Sequence, residues 1–200
     1  MARSTYHHGD LRAALVDAGL EMVAAEGIDA LSVADAAKRA GVSAAAPYRH
    51  FANRKAFLSA VTAAAAQEFD AEVQAATDEV AGDNPLDVME ATAQAYVRFV
   101  IRRRIGWDVI FGDGLRDLPD ADRLAASRSL SDAFLTPALA VTGGDVRAAL
   151  RLVEHEIAAC HGYASLYLAG MFVPKYPEVD RAATQAGLIT RALAEAARPH

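Results

Sequence analysis

An all-α fold is expected, with a three-helix helix-turn-helix domain at the N-terminus and a helical domain behind it. Three observations predict this. Alanine, the strongest helix former, supplies 47 of the 200 residues and nearly half of the 53% that is hydrophobic. No stretch shows the two-residue apolar alternation of a half-buried strand. Capping residues and glycines stand where helices would begin and end.

The elements follow in order. Leu11, Leu15, Ala18 and Met22 fall at helical spacing, and Gly27 stops that helix. Ser32 caps a second, short helix whose inner face is Val33, Ala36, Ala37 and Ala40, and Gly41 ends it. Ser43 is expected to cap a third helix from Ala44 to about Phe51, with Pro47 tolerated in its first turn. Asn53 caps a fourth that runs to about Val80. Pro85 opens a helix that ends near Arg102–Arg104, and a short one follows through Trp107 and Phe111 to the Gly112-Asp113-Gly114 stop. Another spans about Pro119 to Ala140, broken by Gly143-Gly144. A long one runs from Val146 to Met171 and is punctuated by Pro174 and Pro177. Val179, Ala182, Ala186, Ile189 and Leu193 give the last helix a near-heptad stripe.

Composition narrows the function. Gly plus Pro is only 20 residues, which excludes collagen-like and low-complexity chains. A lone cysteine, Cys160, can form neither an internal disulfide nor a Cys-based zinc site. Ile157–Pro174 carries no formal charge over 18 residues, the lower edge of a spanning length. Its His161, Gly162, Ser165 and Gly170 make a buried helix the better reading. With no secretory signal at the N-terminus, a cytoplasmic location is expected.

The net charge of −6 is unevenly spread. Residues 1–55 hold seven Lys/Arg against six Asp/Glu, whereas residues 56–200 hold thirteen against twenty. Between Ala36 and Lys55 there are five bases (Lys38, Arg39, Arg49, Arg54, Lys55) and no acid. A basic patch on an acidic chain points to a local polyanion contact. Ser32–Phe51 has helix-turn-helix spacing, with Ala37 small at the crossing and Gly41-Val42-Ser43 as the turn.

Four runs carry a resemblance: Leu31-Ser32-Val33-Ala34-Asp35-Ala36-Ala37, Ala40-Gly41-Val42-Ser43, Ala46-Pro47-Tyr48-Arg49-His50-Phe51 and Asn53-Arg54-Lys55-Ala56-Phe57-Leu58. Over about Tyr6 to Val61 the chain resembles the TetR family of transcriptional regulators. The resemblance implies a homodimer with a DNA-binding domain over residues 1–52 and a ligand-binding and dimerisation domain over 53–200. It places Tyr48 and His50 on phosphates, with Arg54 reaching the backbone from the start of the fourth helix. Ser43, Ala44, Ala45 and Ala46 would lie along the bases, where three alanines limit readout to contacts such as thymine methyls. Arg49 is the long donor there, Lys55 adds charge, and Arg3 in an N-terminal arm would add groove contacts. The implied partners are a near-palindromic operator and a small-molecule effector that releases it, so a repressor is expected.

In the second half, Tyr96-Val97-Arg98-Phe99, Trp107, Phe111-Gly112 and His161-Gly162 resemble the TetR branch named for Trp, His and Gly. The position one turn before His-Gly, where that pattern has Trp, is Ile157. On the long helix Ala158, Gly162, Ser165 and Ala169 form a small-residue stripe that permits close helix approach. With Ala186, Ile189 and Leu193 of the last helix it is assigned to a two-fold, four-helix interface. Tyr96, Phe99, Trp107, Phe111, Cys160, His161, Tyr163 and Tyr167 are assigned to an apolar or planar effector's cavity, with His161 as its first polar contact.

Other chemistries fare worse. Glu154, His155, Glu156, Cys160 and His161 lack the spacing of a metal site, so neither metal nor cofactor is expected. There is no nucleophile elbow, phosphate-cradling loop or dinucleotide fingerprint. An all-helical enzyme and an effector-independent DNA-binding protein are the alternatives.

Overall fold

A computed structural model describes residues 8–106, 109–110, 121–175 and 177–199. Among the described residues there are seven α-helices, two 3-10 turns and no strand. The helices are α1 (His8–Glu26), α2 (Val33–Arg39), α3 (Arg54–Asp78), α4 (Pro85–Arg103), α5 (Ala121–Val141), α6 (Val146–Leu168) and α7 (Val179–Ala196). The 3-10 turns are Ile28–Ala30 and Ala46–Arg49. The expected short helix through Trp107 and Phe111, and the arm with Arg3, lie outside the described residues.

Side-chain caps set the helix starts. Ser32 accepts from the Asp35 amide at 3.3 Å and Asn53 from the Ala56 amide at 2.9 Å. Asn84 and Asp145 do the same for α4 and α6 at 3.2 and 3.0 Å. Each cap satisfies an amide that has no partner inside its helix, and losing one costs about 1 kcal/mol. Gly41, at φ 70°, closes α2 in a left-handed conformation, letting the Val42 amide reach back to the Ala37 carbonyl at 3.0 Å.

The third helix is shorter and tighter than its sequence suggests. Pro47 has no amide to give the Ser43 carbonyl, which instead accepts from Ala46 at 3.0 Å. The segment therefore closes as a 3-10 turn, Ala46–Arg49, and Ser43 makes no side-chain cap. His50 and Phe51 both donate to the Pro47 carbonyl at 2.9 Å, which returns the chain to the core at Phe51.

The N-terminal module closes on Leu15, Met22, Leu31, Ala36, Ala37, Phe51, Phe57 and Val61. Gly19 lets α1 and α3 come close, since a Cβ there would meet Val61 Cγ2 at 2.5 Å. Beyond it, α3 continues into the second half, where it packs against α4 and α5. There α4 is the central helix, touching α3, α5, α6 and α7. Phe57, Val61, Ala65, Phe69 and Val73, spaced by four, are all fully buried along α3. One buried cluster thus runs from Leu15 to Ala186, and a smaller one around Leu86, Met89, Ala149 and Leu152 closes the far end. Among the described residues no helix is long and apolar enough to cross a membrane.

Candidate functional site

The turn between α2 and α3 is a crest of side chains on the surface of the N-terminal module. Ser43, Ala44, Ala45, Arg49 and Lys55 are exposed, Ala46 and His50 half-buried, and Tyr48 is 57% exposed. Phe51 has the opposite fate: it is buried, with its ring 5.0 Å from Phe57 and the Arg12 guanidinium over its outer face. An exposed tyrosine next to a buried phenylalanine is how a short segment displays one ring while anchoring itself by another.

The five bases divide into two kinds. Arg39 pairs with Glu26 at 3.0 Å and ties the end of α2 to the end of α1. Arg54, exposed at the start of α3, is held by its own chain as well. Its Nε donates to the Leu31 carbonyl at 2.8 Å, and its Nη2 donates to the Asp29 and Ile28 carbonyls at 3.2 and 3.3 Å. Those carbonyls belong to the 3-10 turn and its exit, where the Ile28 carbonyl also accepts from the Leu31 amide at 3.3 Å, and the guanidinium adds charge-assisted bonds to all three. Among the described residues Lys38, Arg49 and Lys55 are exposed cations without a hydrogen-bond or ion-pair partner. They are the charges this surface offers to a polyanion.

The expected cavity residues fall into separate groups. Tyr96 and Phe99 are buried on α4, and the Tyr96 hydroxyl is hydrogen-bonded to His161 Nδ1 at 2.9 Å. Phe69 of α3 completes this group, stacking on Phe99 at 4.6 Å and meeting Tyr96 edge-on at 5.4 Å. Phe134 of α5 closes it at 6.3 Å from Phe69. Tyr163 instead packs on Phe172 at 4.7 Å, and Tyr167 donates to the Pro177 carbonyl at 3.2 Å. Cys160 faces Thr190 of α7 at 3.8 Å. Trp107 and Phe111 lie outside the described residues. Phe69 and Phe134 were missed by the sequence reading, although the four-residue spacing on α3 marks Phe69 as a core position.

Beside this group sits a sealed polar cluster. Glu156 is fully buried; its Oε1 accepts from Thr92 at 2.8 Å, and its Oε2 has no hydrogen-bond partner. Burial raises its carboxyl to about 8, against the smaller opposing pull of the Thr92 hydroxyl, so it is mostly protonated at neutral pH. Burial, and then Glu156 once it is ionised, push the Cys160 thiol up as well, so it stays protonated. Glu154 and His155 point outward. No group of three or more His, Cys, Asp or Glu among the described residues could hold a metal ion.

The two stripes assigned to a dimer interface behave differently. Ala158, Ser165 and Ala169 are exposed, and a Cβ on Gly162 would meet nothing within 4 Å. Ile189 is 40% exposed. Ala186 is a correction: it is buried within its own chain, because the near-heptad stripe of α7 turns toward α4. Leu193 is half-buried against the cluster around Leu86 and Met89. Leu188, on the outer side of α7, is half-exposed as well. It lies outside the near-heptad count that drew attention to Ala186.

Comparison with known proteins covers most of the chain. The family described as bacterial regulatory proteins, tetR family, matches residues 15–61, and the family described as tetracyclin repressor-like, C-terminal domain, matches residues 89–197. A solved structure from Rhodococcus sp. RHA1, of a protein with unknown function, is 28% identical with a TM-score of 0.71, over 95% of this chain and 98% of that one. A TetR-like transcriptional regulator from the same organism is 18% identical with a TM-score of 0.66, over 94% and 96%. The fatty acid degradation regulator FadR from Bacillus halodurans is 12% identical with a TM-score of 0.65, over 92% and 96%, and is alike in fold. A search of curated proteins found no match.

Proposed function

The chain belongs to the TetR family and is a DNA-binding transcriptional regulator, and on that premise we propose that it is a homodimeric, cytoplasmic repressor released from its operator by a small molecule. We read it as a regulator rather than an enzyme. The observation that carries the reading is the crest at the α2–α3 turn, where Tyr48, Arg49 and Lys55 stand exposed and the two cations are free of intramolecular partners.

In this reading Tyr48, His50, Arg49 and Lys55 contact the duplex, with Ser43, Ala44, Ala45 and Ala46 against it, and Arg3 adds a contact from the arm. Three alanines without hydrogen-bonding groups leave little direct base readout, so shape and methyl contacts carry more of the specificity. One module per chain is a small interface, so two act together on half-sites about 34 Å apart. The two-fold contact forms through Ala158, Gly162, Ser165 and Ala169 of α6 with Leu188 and Ile189 of α7, an outward surface of small and apolar side chains. The division between the two domains falls at residues 52 and 53, just before the Asn53 cap of α3.

The effector sits beside Tyr96, Phe99 and His161, with Phe69 and Phe134 on the same group, and Trp107 and Phe111 are assigned to it from the sequence. Tyr163, Tyr167 and Cys160 belong to the walls around it. Aromatic surfaces with one hydroxyl–imidazole pair suit a mostly apolar or planar molecule with a few polar atoms. The second half is assigned to the Trp-His-Gly branch, with the imidazole of His161 oriented by the Tyr96 hydroxyl. A true effector must favour the DNA-free conformation, because a ligand shifts an equilibrium only through differential affinity.

The test is to sequence the genomic DNA fragments that the purified protein retains, then to titrate compounds suggested by neighbouring genes while following Trp107 emission. Enrichment of near-palindromic fragments, released by a compound that changes the emission, is expected. Retention of no particular sequence, or release with unchanged emission, contradicts the operator or the cavity assignment respectively.

A further inference from the structure

We propose that Glu156 anchors a basic nitrogen of the effector: the small molecule carries an amine on its apolar or planar body, and an N–H of the ammonium form donates to Glu156 Oε2. This assignment rests on the cavity reading above and names the chemical class of its ligand.

The geometry is a ladder of two rungs between α4 and α6. Tyr96 meets His161 Nδ1 at 2.9 Å on one rung, and Thr92 meets Glu156 Oε1 at 2.8 Å on the other. Thr92 and Tyr96 lie one turn apart on α4, about 6 Å, so the carboxyl adjoins the aromatic group of Tyr96, Phe69 and Phe99. Its hydrogen bonding is incomplete. Thr92 has one hydroxyl proton for two acceptors, the Met89 carbonyl and Glu156 Oε1, each at 2.8 Å. Glu156 Oε2 has no donor at all, although the residue is fully buried. A buried acceptor without a donor is costly, and native chains rarely keep one without a use for it.

The cations of the neighbouring seam are committed elsewhere. Arg191 of α7 is bonded to Glu90 and Asp87, and Arg98 of α4 to Asp180 and Gln94. The titratable groups beside the carboxyl are Cys160, which stays protonated, and the Tyr96–His161 pair one turn away. The missing donor is therefore supplied from outside the chain. An ammonium ion suits the place better than a hydroxyl, because it brings the charge that lets a buried acid ionise and because aromatic faces one turn away attract a cation. In the free protein burial holds the carboxyl near 8, so it is mostly protonated at neutral pH. On binding, the acid gives its proton to solvent while the ammonium keeps its own, and the two remain as an ion pair.

That released proton provides the test. The probes are naphthylmethylamine and its neutral isostere naphthylmethanol, titrated calorimetrically into the full chain in two buffers of different ionisation enthalpy. The amine should bind about tenfold tighter or more and release about 0.9 proton at pH 7, with affinity rising about tenfold from pH 6 to 7 and levelling above 8. Glu156→Gln keeps the size of the side chain; it should cost the amine about tenfold or more, abolish the proton release and leave the alcohol within about twofold. Tyr96, His161 and Cys160 remain in that variant, so the difference belongs to the carboxyl. If Glu156→Gln loses the wild-type helical spectrum, the proton count on the wild-type chain decides alone.

Amine and alcohol of equal affinity, with no proton released, overturn the proposal and leave the cavity reading standing. An amine bound by Glu156→Gln with undiminished affinity and proton release overturns it equally, by placing the nitrogen elsewhere. A chain that binds neither probe removes the cavity reading and the anchor with it.

Discussion

On α6 the small residues Ala158, Gly162 and Ser165, with Ala169 at its C-terminal cap, face away from the chain's own core, while on α7 Ala183, Gly187 and Ala194 face into it. The two glycines make the contrast concrete. A Cβ on Gly162 meets nothing within 4 Å, whereas one on Gly187 meets Glu90 Cγ at 2.8 Å and Gln94 Cγ at 2.9 Å. Small side chains announce that another helix can come close, but the sequence spacing does not say which helix. For α7 the neighbour is α4, and the seam is pinned by Arg191, which bonds Glu90 at 2.6 Å and also pairs with Asp87. For α6 the neighbour is a second copy, on the reading proposed above.

The sharpest break between the stripes is at their glycines. Gly162→Leu should keep the wild-type helical spectrum, sediment as a monomer and lose DNA affinity by about a hundredfold, because the gain from tethering two modules disappears. Gel filtration and duplex titration check this. Gly187→Leu should do the reverse, destabilising the chain by roughly 1–3 kcal/mol in denaturant melts, because Glu90 and Gln94 must give way together with α4. A Gly162→Leu variant that unfolds would place its stripe inside the chain and erase the contrast.

The buried flank of α6 supplies a smaller effect with a definite sign. Glu156 is raised to about 8 in the folded chain, from an ordinary value of 4.5. Between these values the folded state holds a proton that the unfolded state has released, so stability falls as pH rises through that window. The slope contributed should approach about 1.4 kcal/mol per pH unit at its steepest and vanish above pH 8 and below 4.5. Glu156→Gln should flatten it, as read by denaturant midpoints across the range. A wild-type profile no steeper than that of Glu156→Gln would mean the carboxyl finds a partner on folding.

The smallest expected change is at Tyr96→Phe, which removes the hydroxyl from His161 while keeping the ring against Phe69. The cost should be about 1 kcal/mol in stability. Its effect on effector affinity should be larger if the pair contacts the ligand, and isothermal titration separates the two.

Much of this architecture is legible along the chain. Ser32, Asn53 and Gly41 mark their helix ends by local chemistry, and local chemistry is what a sequence displays directly. The buried core positions Leu15, Met22 and Phe51 follow from periodicity for the same reason. The differences concern which of several available partners a group takes. Pro47 was expected to be absorbed into an α-helix, but the competition for the Ser43 carbonyl settled on a tighter turn. Arg54 was expected on a phosphate from the family resemblance, and its additional bonds to carbonyls 23 to 26 residues earlier have no local signal in the sequence. Ala186 was placed on the outer face because helical spacing fixes a stripe but not its neighbour. Glu156 shares a helical face with Leu152 and Cys160, and its burial follows that spacing against its charged residue type.

Whether DNA is read by a pair of copies joined through the outer face of α6 is decided by the mass of the complex. Sedimentation equilibrium with a duplex that the protein retains, run on wild type and Gly162→Leu, gives the number of chains per DNA. Two chains per duplex for the wild type, and no stable complex at the same concentration for Gly162→Leu, is the predicted result. One chain per duplex at saturation, or a Gly162→Leu complex as heavy and as tight as the wild type, contradicts it.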